Sequence, residues 1–414
     1  MDKRIEAVLQ ELQGTLGIQQ FVLHTHSLSQ EVSAFGGFDI LLHADWLPPA
    51  AAAPEEEDLL PDGTVSIRYS LRFQQLLLAV TQGQHSFADS IATSDEQFIL
   101  WAEQQTGLHV GQEFVLTNRH ENGIEGAVVH HNIPIHTNGF LEIEWDRQGR
   151  IIMCTLPLIV SNEFEDGPFT LTLESIEPLV RQQLTPIRLP IEDEACFADY
   201  YAIDEVFIAQ DGSVLPYFTE EQSARFPQAV LQWTSASQQD FEKQAIQPFG
   251  PELTAEEAFN ALKQPISGVT EEVQQRCIQS ATSFLSSALP DEAGKWVVYR
   301  IMQQPGMIEV VCRKIGEIAG PLRRKILIML NKDTYEVMNF LDSSEMAQLF
   351  EGFTQPRIET IAHEDAFEKM VSYITLDPKY VYHQPSGTYK LCGLLDSEEA
   401  VDAVTGDLKQ LNDL

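Results

Sequence analysis

The stretch that decides the predicted fold is residues 363–408, HEDAFEKMVSYITLDPKYVYHQPSGTYKLCGLLDSEEAVDAVTGDL. It opens with apolar residues at i, i+3, i+4 and i+7, a period that predicts a helix with one apolar face. These residues are Phe367, Met370, Val371 and Ile374. Asp377-Pro378 ends the helical pattern, because proline has no N–H and restricts the residue before it.

Three strands are predicted after this helix, at 380–382, 389–395 and 400–404. The first two are separated by the turn Pro385-Ser386-Gly387, and Thr405-Gly406 closes the last. One helix can cover one face of three antiparallel strands, so we expect a complete small α+β unit here.

The strand segments 380–382, 389–391 and 401–408 resemble the closing strands of the YcdB/YcdC repeat, a relative of the PepSY domain of bacterial peptidase propeptides. The resemblance covers residues 358–414. It implies a PepSY-like fold and a bacterial source. It implies no active site, because the family has no established catalytic residues.

Upstream, similar helix starts divide the rest of the chain. Asp2 is a predicted N-cap, Ser94 and Thr254 begin predicted capping boxes, and another helix is predicted from Ser175. The sequence therefore predicts an α+β protein of several repeated units, each a helix followed by an antiparallel sheet of three or four strands. The predicted units are 1–90, 91–162, 163–250, 251–345 (with an extra helix at 271–289) and 358–414.

Other local patterns predict single elements. Residues 202–209 are predicted to form one strand, and Gly36-Gly37 a turn between two strands. Residues 50–58 (AAAAPEEED) are expected to be an exposed loop by composition.

The charge balance excludes one class of partner. The 414 residues include 62 acidic and 26 basic ones, a formal net charge of −36, which repels phosphate backbones and anionic membrane surfaces. Nucleic-acid binding is therefore not expected. Solubility or adaptation to an alkaline or salty habitat explains the charge better than an acidic binding face does.

No secretion signal or membrane span is visible in the sequence. The five cysteines are far apart and form no CxxC pair, which predicts reduced, mostly buried thiols and a cytoplasmic location.

Histidines are the first candidates for a metal site. His120, His131 and His136 form one possible zinc set, while His130 and His131 are expected to point to opposite faces of a strand. A second possible pair is His24 with His26, two residues apart on a strand. Exposed strand and turn histidines are the favoured interpretation of both sets.

Two further candidates are also set aside. His363-Glu364 begins a helix, but Phe367 stands where the zinc-peptidase motif needs its second histidine. The acidic group near the C-terminus lacks EF-hand spacing, which favours a solvated loop over a calcium site. This group is Asp396, Glu398, Glu399 and Asp402. We predict no catalytic, cofactor-binding or metal-binding residue and no cofactor.

The predicted function is a non-enzymatic binding or regulatory module. A basic peptide or protein, such as a peptidase, is expected to add as a strand to a free sheet edge. The alternative is an enzyme with its site in a cleft between units, which a pocket with convergent titratable residues would favour. A purely structural protein shares the same sequence features.

Overall fold

The computed structural model describes residues 1–33, 37–49, 60–83, 95–136, 140–165, 167–217, 224, 227–235, 243–245, 252–263, 269–320, 323–356 and 360–414. Three sequence predictions lie outside these residues: the capping box at Ser94, the turn at Gly36 and the loop at 50–58. The α-helices of the described part are α1 Lys3–Leu16, α2 Asp95–Thr106, α3 Glu177–Gln183, α4 Ala255–Ala261, α5 Glu271–Ala288 and α6 His363–Met370.

The protein belongs to the α+β class, because helices and mostly antiparallel strands alternate along the chain. In the first half the strands are β1 Val22–Val32, β2 Phe38–Leu47, β3 Val65–Ser70, β4 Gln75–Thr81, β5 Phe114–His120, β6 Gly123–His130, β7 Ile133–His136, β8 Leu141–Trp145, β9 Ile151–Thr155, β10 Leu184–Ile191, β11 Cys196–Ile203, β12 Val206–Ala209 and β13 Val214–Pro216. In the second half they are β14 Ala229–Val230, β15 Trp296–Gln304, β16 Met307–Lys314, β17 Lys325–Asn331, β18 Val337–Asp342, β19 Thr375–His383, β20 Thr388–Asp396, β21 Glu399–Asp402 and β22 Leu408–Gln410.

The N-terminal part joins two antiparallel sheets into one. Strands β1 to β4 follow α1 in order, and β4 pairs with β9, the last strand of the set that follows α2. Asp2 caps α1 as predicted, accepting from the Arg4 N–H at 2.8 Å. The apolar face of α1 lies in one core with α2, α4 and this sheet. Strand β1 is the edge strand of the sheet.

A second sheet, in the order β14-β15-β16-β17-β18, has its own core beneath α5. Helix α5 spans Glu271–Ala288, close to the predicted 271–289, and the Thr270 side chain caps it. Trp296 is fully buried in this core.

The segments that follow α3 and α6 exchange strands. Strand β12 pairs with β20 in the large sheet, which has 13 strands among the described residues, and β21 pairs with β11 in a sheet of order β10-β11-β21-β22. Helices α3 and α6 share one core, to which strands of both sheets contribute. The sequence predicted that the C-terminal helix and its three strands form a complete small unit. This prediction is wrong, because the three strands do not form one sheet. The third strand, β21, leaves the β19–β20 hairpin for β11.

Two more local predictions are wrong. The strand predicted at 202–209 is two strands, because Asp204 and Glu205 carry the chain from one sheet to the other. Val371 was predicted to face the sheet with Phe367, but α6 ends at Met370 and Val371 begins a 3₁₀ turn. Val371 is 41% exposed, whereas Phe367 is 4% exposed.

Candidate functional site

A cleft of about 850 Å³ lies between the edge of the N-terminal sheet and the tip of the β15–β16 hairpin. One side is formed by six consecutive residues of β1, from Ser27 to Val32, with His43 and Arg68 beside them. The remaining lining residues are Glu252, Gln304, Pro305, Met307 and Glu309. A smaller adjoining cleft shares Ser27, Leu28 and Glu252 with it and extends to Asp2 and His26.

The main chain of β1 faces this cleft. The Leu28 carbonyl accepts a hydrogen bond from the Leu253 N–H at 2.8 Å. The main-chain N–H and C=O groups of Leu28 therefore point away from β2. Main-chain direction alternates along an antiparallel strand, and the register from Thr25 to Val32 is regular. The N–H and C=O groups of Gln30 and Val32 therefore point outwards too. Within the described residues, Leu253 is the one main-chain donor to this edge.

Four polar side chains converge on the cleft floor. The Ser29 hydroxyl lies 2.9 Å from Nε2 of His43 and 3.3 Å from Oε1 of Glu31. The Arg68 guanidinium donates to Oε2 of Glu31 at 2.8 Å. The hydrogen bond with His43 and the charge of Arg68 lower the pKa of Glu31 against the effect of burial. Glu31 is therefore a carboxylate at neutral pH.

This cluster does not have the geometry of a serine-hydrolase triad. In such a triad the serine bonds to one imidazole nitrogen and the acid orients the other. Here Ser29 and Glu31 both approach Nε2 of His43, at 2.9 and 3.6 Å. The arrangement fixes the Glu31 carboxylate. Glu31 does not orient His43 as a base for Ser29.

The opposite wall adds further carboxylates. Glu309 of β16 accepts from the Gln304 amide at 3.3 Å, and burial raises the pKa of Glu309. Glu252 is exposed at the rim. The cleft thus combines an open strand edge with three acidic side chains: Glu31, Glu252 and Glu309.

The predicted opposition of His130 and His131 is wrong. Residues 131 and 132 both have positive φ, 50° and 64°, and form the two-residue turn between β6 and β7. This turn brings the His131 ring to 4.1 Å from the His130 ring, and His130 stacks on Phe164 at 3.8 Å. His136 contacts Phe207 and Tyr217 instead.

The other histidine candidates are also separated by the fold. His24 is the extra residue of a bulge between Leu23 and Thr25, so the two-residue alternation with His26 is broken. His363 starts α6, where its Nε2 lies 3.1 Å from the Leu184 carbonyl. In the part of the chain that the structure describes, no group of three or more His, Cys, Asp or Glu side chains is arranged to hold a metal ion.

The C-terminal acidic residues serve local turns. Asp402 Oδ1 accepts from the N–H groups of Val404 and Thr405, both at 2.8 Å. Asp396 Oδ1 accepts from the Ser397 N–H at 2.6 Å. None of the five cysteines forms a disulfide in the described structure, and four of them are buried.

No family model, curated protein or solved structure matches this chain. The resemblance of residues 358–414 to the YcdB/YcdC repeat therefore stays a prediction. Across the described ranges, no helix is both long and apolar enough to cross a membrane.

Proposed function

We propose that the protein is a binding module that takes up a basic, extended peptide segment beside β1. The observation that carries the proposal is the continuous lining of the cleft by Ser27 to Val32 of an edge strand. An added strand would bond to the outward main-chain groups of Gln30 and Val32. Main-chain bonding of this kind supplies affinity without requiring one particular sequence.

The charges of the cleft favour a basic occupant. Lysine or arginine side chains of an added strand would lie near Glu31, Glu252 and Glu309, and the net charge of −36 would attract such a segment from solution. Glu31 already pairs with Arg68, and Glu309 accepts from Gln304 and lies near the charge of Arg300. The exposed Glu252 is therefore the carboxylate most open to the peptide. Association is therefore expected to be fast and to weaken as salt rises.

The test uses a labelled peptide of about eight residues that alternates lysine and valine, matching the strand period. Fluorescence anisotropy should show binding that weakens with salt, whereas the matched glutamate–valine peptide should not bind. A lysine–valine peptide that does not bind, or whose affinity ignores ionic strength, would contradict the proposal.

One pair of variants isolates the main-chain contact. Gln30→Pro removes an outward N–H, and proline is tolerated at an edge strand where that group faces solvent. Gln30→Ala shortens the same side chain but keeps the N–H. We expect the proline variant to bind about tenfold more weakly, which corresponds to roughly 1.4 kcal/mol, and the alanine variant to bind normally. Equal binding by both variants would rule out strand addition at this position.

The second candidate is a hydrolytic enzyme that uses the same cleft. Glu31 and Glu309 are carboxyl groups with pKa values shifted in opposite directions, a pattern found in acid–base pairs. Hydrolysis of a chromogenic glycoside or peptide that is abolished by both Glu31→Gln and Glu309→Gln would favour this function.

We also propose that residues 95–217 and 271–411 are two copies of one unit. Counting from the first residue of each strand, Tyr201 of β11 corresponds to Gly393 of β20, and Ile208 of β12 to Val401 of β21. If the two copies are equivalent, the β11–β21 pair Tyr201–Val401 should have a counterpart in the β20–β12 pair Gly393–Ile208. Both strand pairs are present. Neither copy completes its sheets alone, so calorimetry should give one cooperative unfolding transition for both. Two separate transitions would contradict the proposal.

The identity of the partner is the remaining part of the proposal. A basic segment of a peptidase would suit both the cleft and the PepSY-like resemblance of residues 358–414. A cytoplasmic location is retained from the cysteine pattern. Capture of a peptidase from bacterial extract by wild-type protein, and not by Gln30→Pro, would support this partner.

A further inference from the structure

Three arginines lie together on the face of the β14–β18 sheet that is turned away from α5. Arg313 in β16 lies opposite Lys325 of β17, and Arg300 in β15 lies opposite Val311. Arg300 is therefore a diagonal neighbour of Arg313, about 7–8 Å away between Cα atoms. The Lys314 N–H donates to the Arg324 carbonyl just before β17, so Arg323 lies diagonal to Arg313 on the other side. This register places the three arginines side by side on one sheet face, close enough for the charges of Arg300 and Arg323 to act on Arg313. Arg300 also acts on the Glu309 carboxylate of the same face.

The neighbouring cations on the other side of the sheet are neutralised by carboxylates. Lys314 lies 3.4 Å from Glu292, and Arg324 lies 2.8 Å from Asp342. In the described part of the chain, no carboxylate lies within ion-pair distance of Arg313 or Arg323. Acidic residues outnumber basic ones by 62 to 26, so this absence of carboxylates is notable.

The Arg313 and Arg323 side chains are both half-buried. Arg313 stacks on the Tyr299 ring at 3.3 Å, and Nε of Arg323 is buried without a hydrogen-bond partner among the described residues. Burial and the charges of Arg323 and Arg300 lower the pKa of Arg313. Asp204 is near enough for Arg313 to affect it, but burial raises the pKa of Asp204. A bound anion would offset this concentration of positive charge.

We propose that Arg313 and Arg323 bind a phosphate group, either free phosphate or a phosphomonoester. Guanidinium groups bind phosphate oxygens through paired N–H donors, and a multiply charged oxyanion can accept from two of them at once. Tyr299 holds the Arg313 guanidinium by stacking. The site lies on the same sheet face as Glu309 of the β1 cleft, but Arg313 and Arg323 do not line that cleft. The phosphate proposal does not depend on the peptide-binding proposal.

Isothermal titration calorimetry of the full chain at constant ionic strength, with chloride as the balancing anion, tests this site. Inorganic phosphate should bind the wild type, and Arg313→Gln and Arg323→Gln should each weaken binding at least about tenfold. Arg276→Gln is the control, because Arg276 is exposed on α5 and lies 3.9 Å from Glu272. Binding of phenyl phosphate as well would indicate a phosphomonoester, and binding of inorganic phosphate alone would indicate the free ion.

Melting temperatures without phosphate provide a second readout. Removing one of several clustered like charges should leave the melting temperature unchanged or higher, so Arg323→Gln should stay folded. If it does not fold, Arg323→Lys keeps the charge but loses the paired donors, and should still bind phosphate more weakly than the wild type. Wild-type protein that binds no phosphate, or an Arg313→Gln/Arg323→Gln double variant that binds it normally, would overturn the proposal.

Discussion

Arg188 and Asp199 form a two-contact ion pair across the β10–β11 hairpin, with nitrogen–oxygen distances of 2.6 and 2.7 Å. Asp199 is only 3% exposed, and its carbonyl accepts from the Ala403 N–H of the C-terminal segment. The Arg188 N–H donates to the Ala319 carbonyl. This ion pair, with a buried carboxylate and a guanidinium that is 32% exposed, therefore lies where three distant parts of the chain meet.

Asp199→Ala should destabilise the protein by about 1.5–3 kcal/mol, because the partly exposed Arg188 would lose its charge-assisted hydrogen bonds. The free energy of unfolding in urea measures this loss. The double variant Arg188→Met/Asp199→Leu should be more stable than Asp199→Ala, since it removes both charges. A loss below about 1 kcal/mol for Asp199→Ala would show that the pair is not important for stability.

Gly320 allows the chain to approach closely to Arg188 of this ion pair. Its φ is +139°, and a Cβ there would overlap the carbonyl oxygen of Arg188. Gly316 also has positive φ, +82°, but has open space around it. Gly316→Ala should therefore cost about 1–2 kcal/mol from backbone strain alone. Gly320→Ala should cost clearly more, and equal losses in chemical denaturation would contradict the close approach.

The helix α6 offers a direct comparison of a buried and an exposed apolar side chain. Phe367→Ala should cost about 3–5 kcal/mol, because the ring is buried between two sheets. Val371→Ala should cost much less, because Val371 is 41% exposed. Comparable losses for both variants, measured by urea denaturation, would mean that the sequence interpretation of Val371 was right.

The acid-induced loss of stability should depend on Glu31. Its folded-state pKa is lowered, so the ionised form contributes stability above the unfolded-state pKa, and this contribution disappears as pH falls through the folded-state value. Wild type and Glu31→Gln should therefore differ most in unfolding midpoint near neutral pH. The difference should shrink below about pH 4, the range of an unperturbed glutamate. A difference that is constant with pH would contradict this assignment.

Local patterns predicted local elements well. Thr254 and Glu257 form the predicted capping box, and α5 spans Glu271–Ala288, one residue short of the predicted 271–289. Strand partners were not predictable in this way. Strand β21 pairs with β11 rather than β20, through residues about two hundred positions apart in the sequence. A hydrophobic period reports only local structure and cannot predict such a pairing.

The candidate site was missed for the same reason. Ser29, His43 and Arg68 come from three strands and meet only after β1, β2 and β3 have paired. Their spacing in the sequence fits no known motif. The stretch from Ser29 to Glu31 is polar throughout and has no apolar period, and only His24 and His26 of this strand were considered as site residues.

Amide hydrogen exchange of the full chain, with and without the lysine–valine peptide, tests the central proposal most directly. An added strand would cover the outward N–H groups of β1, so exchange at Gln30 and Val32 should slow when the peptide is bound. The inward amides of Ser29 and Glu31 already bond to β2 and should change little. Peptide binding with unchanged exchange at Gln30 and Val32 would contradict strand addition at this edge.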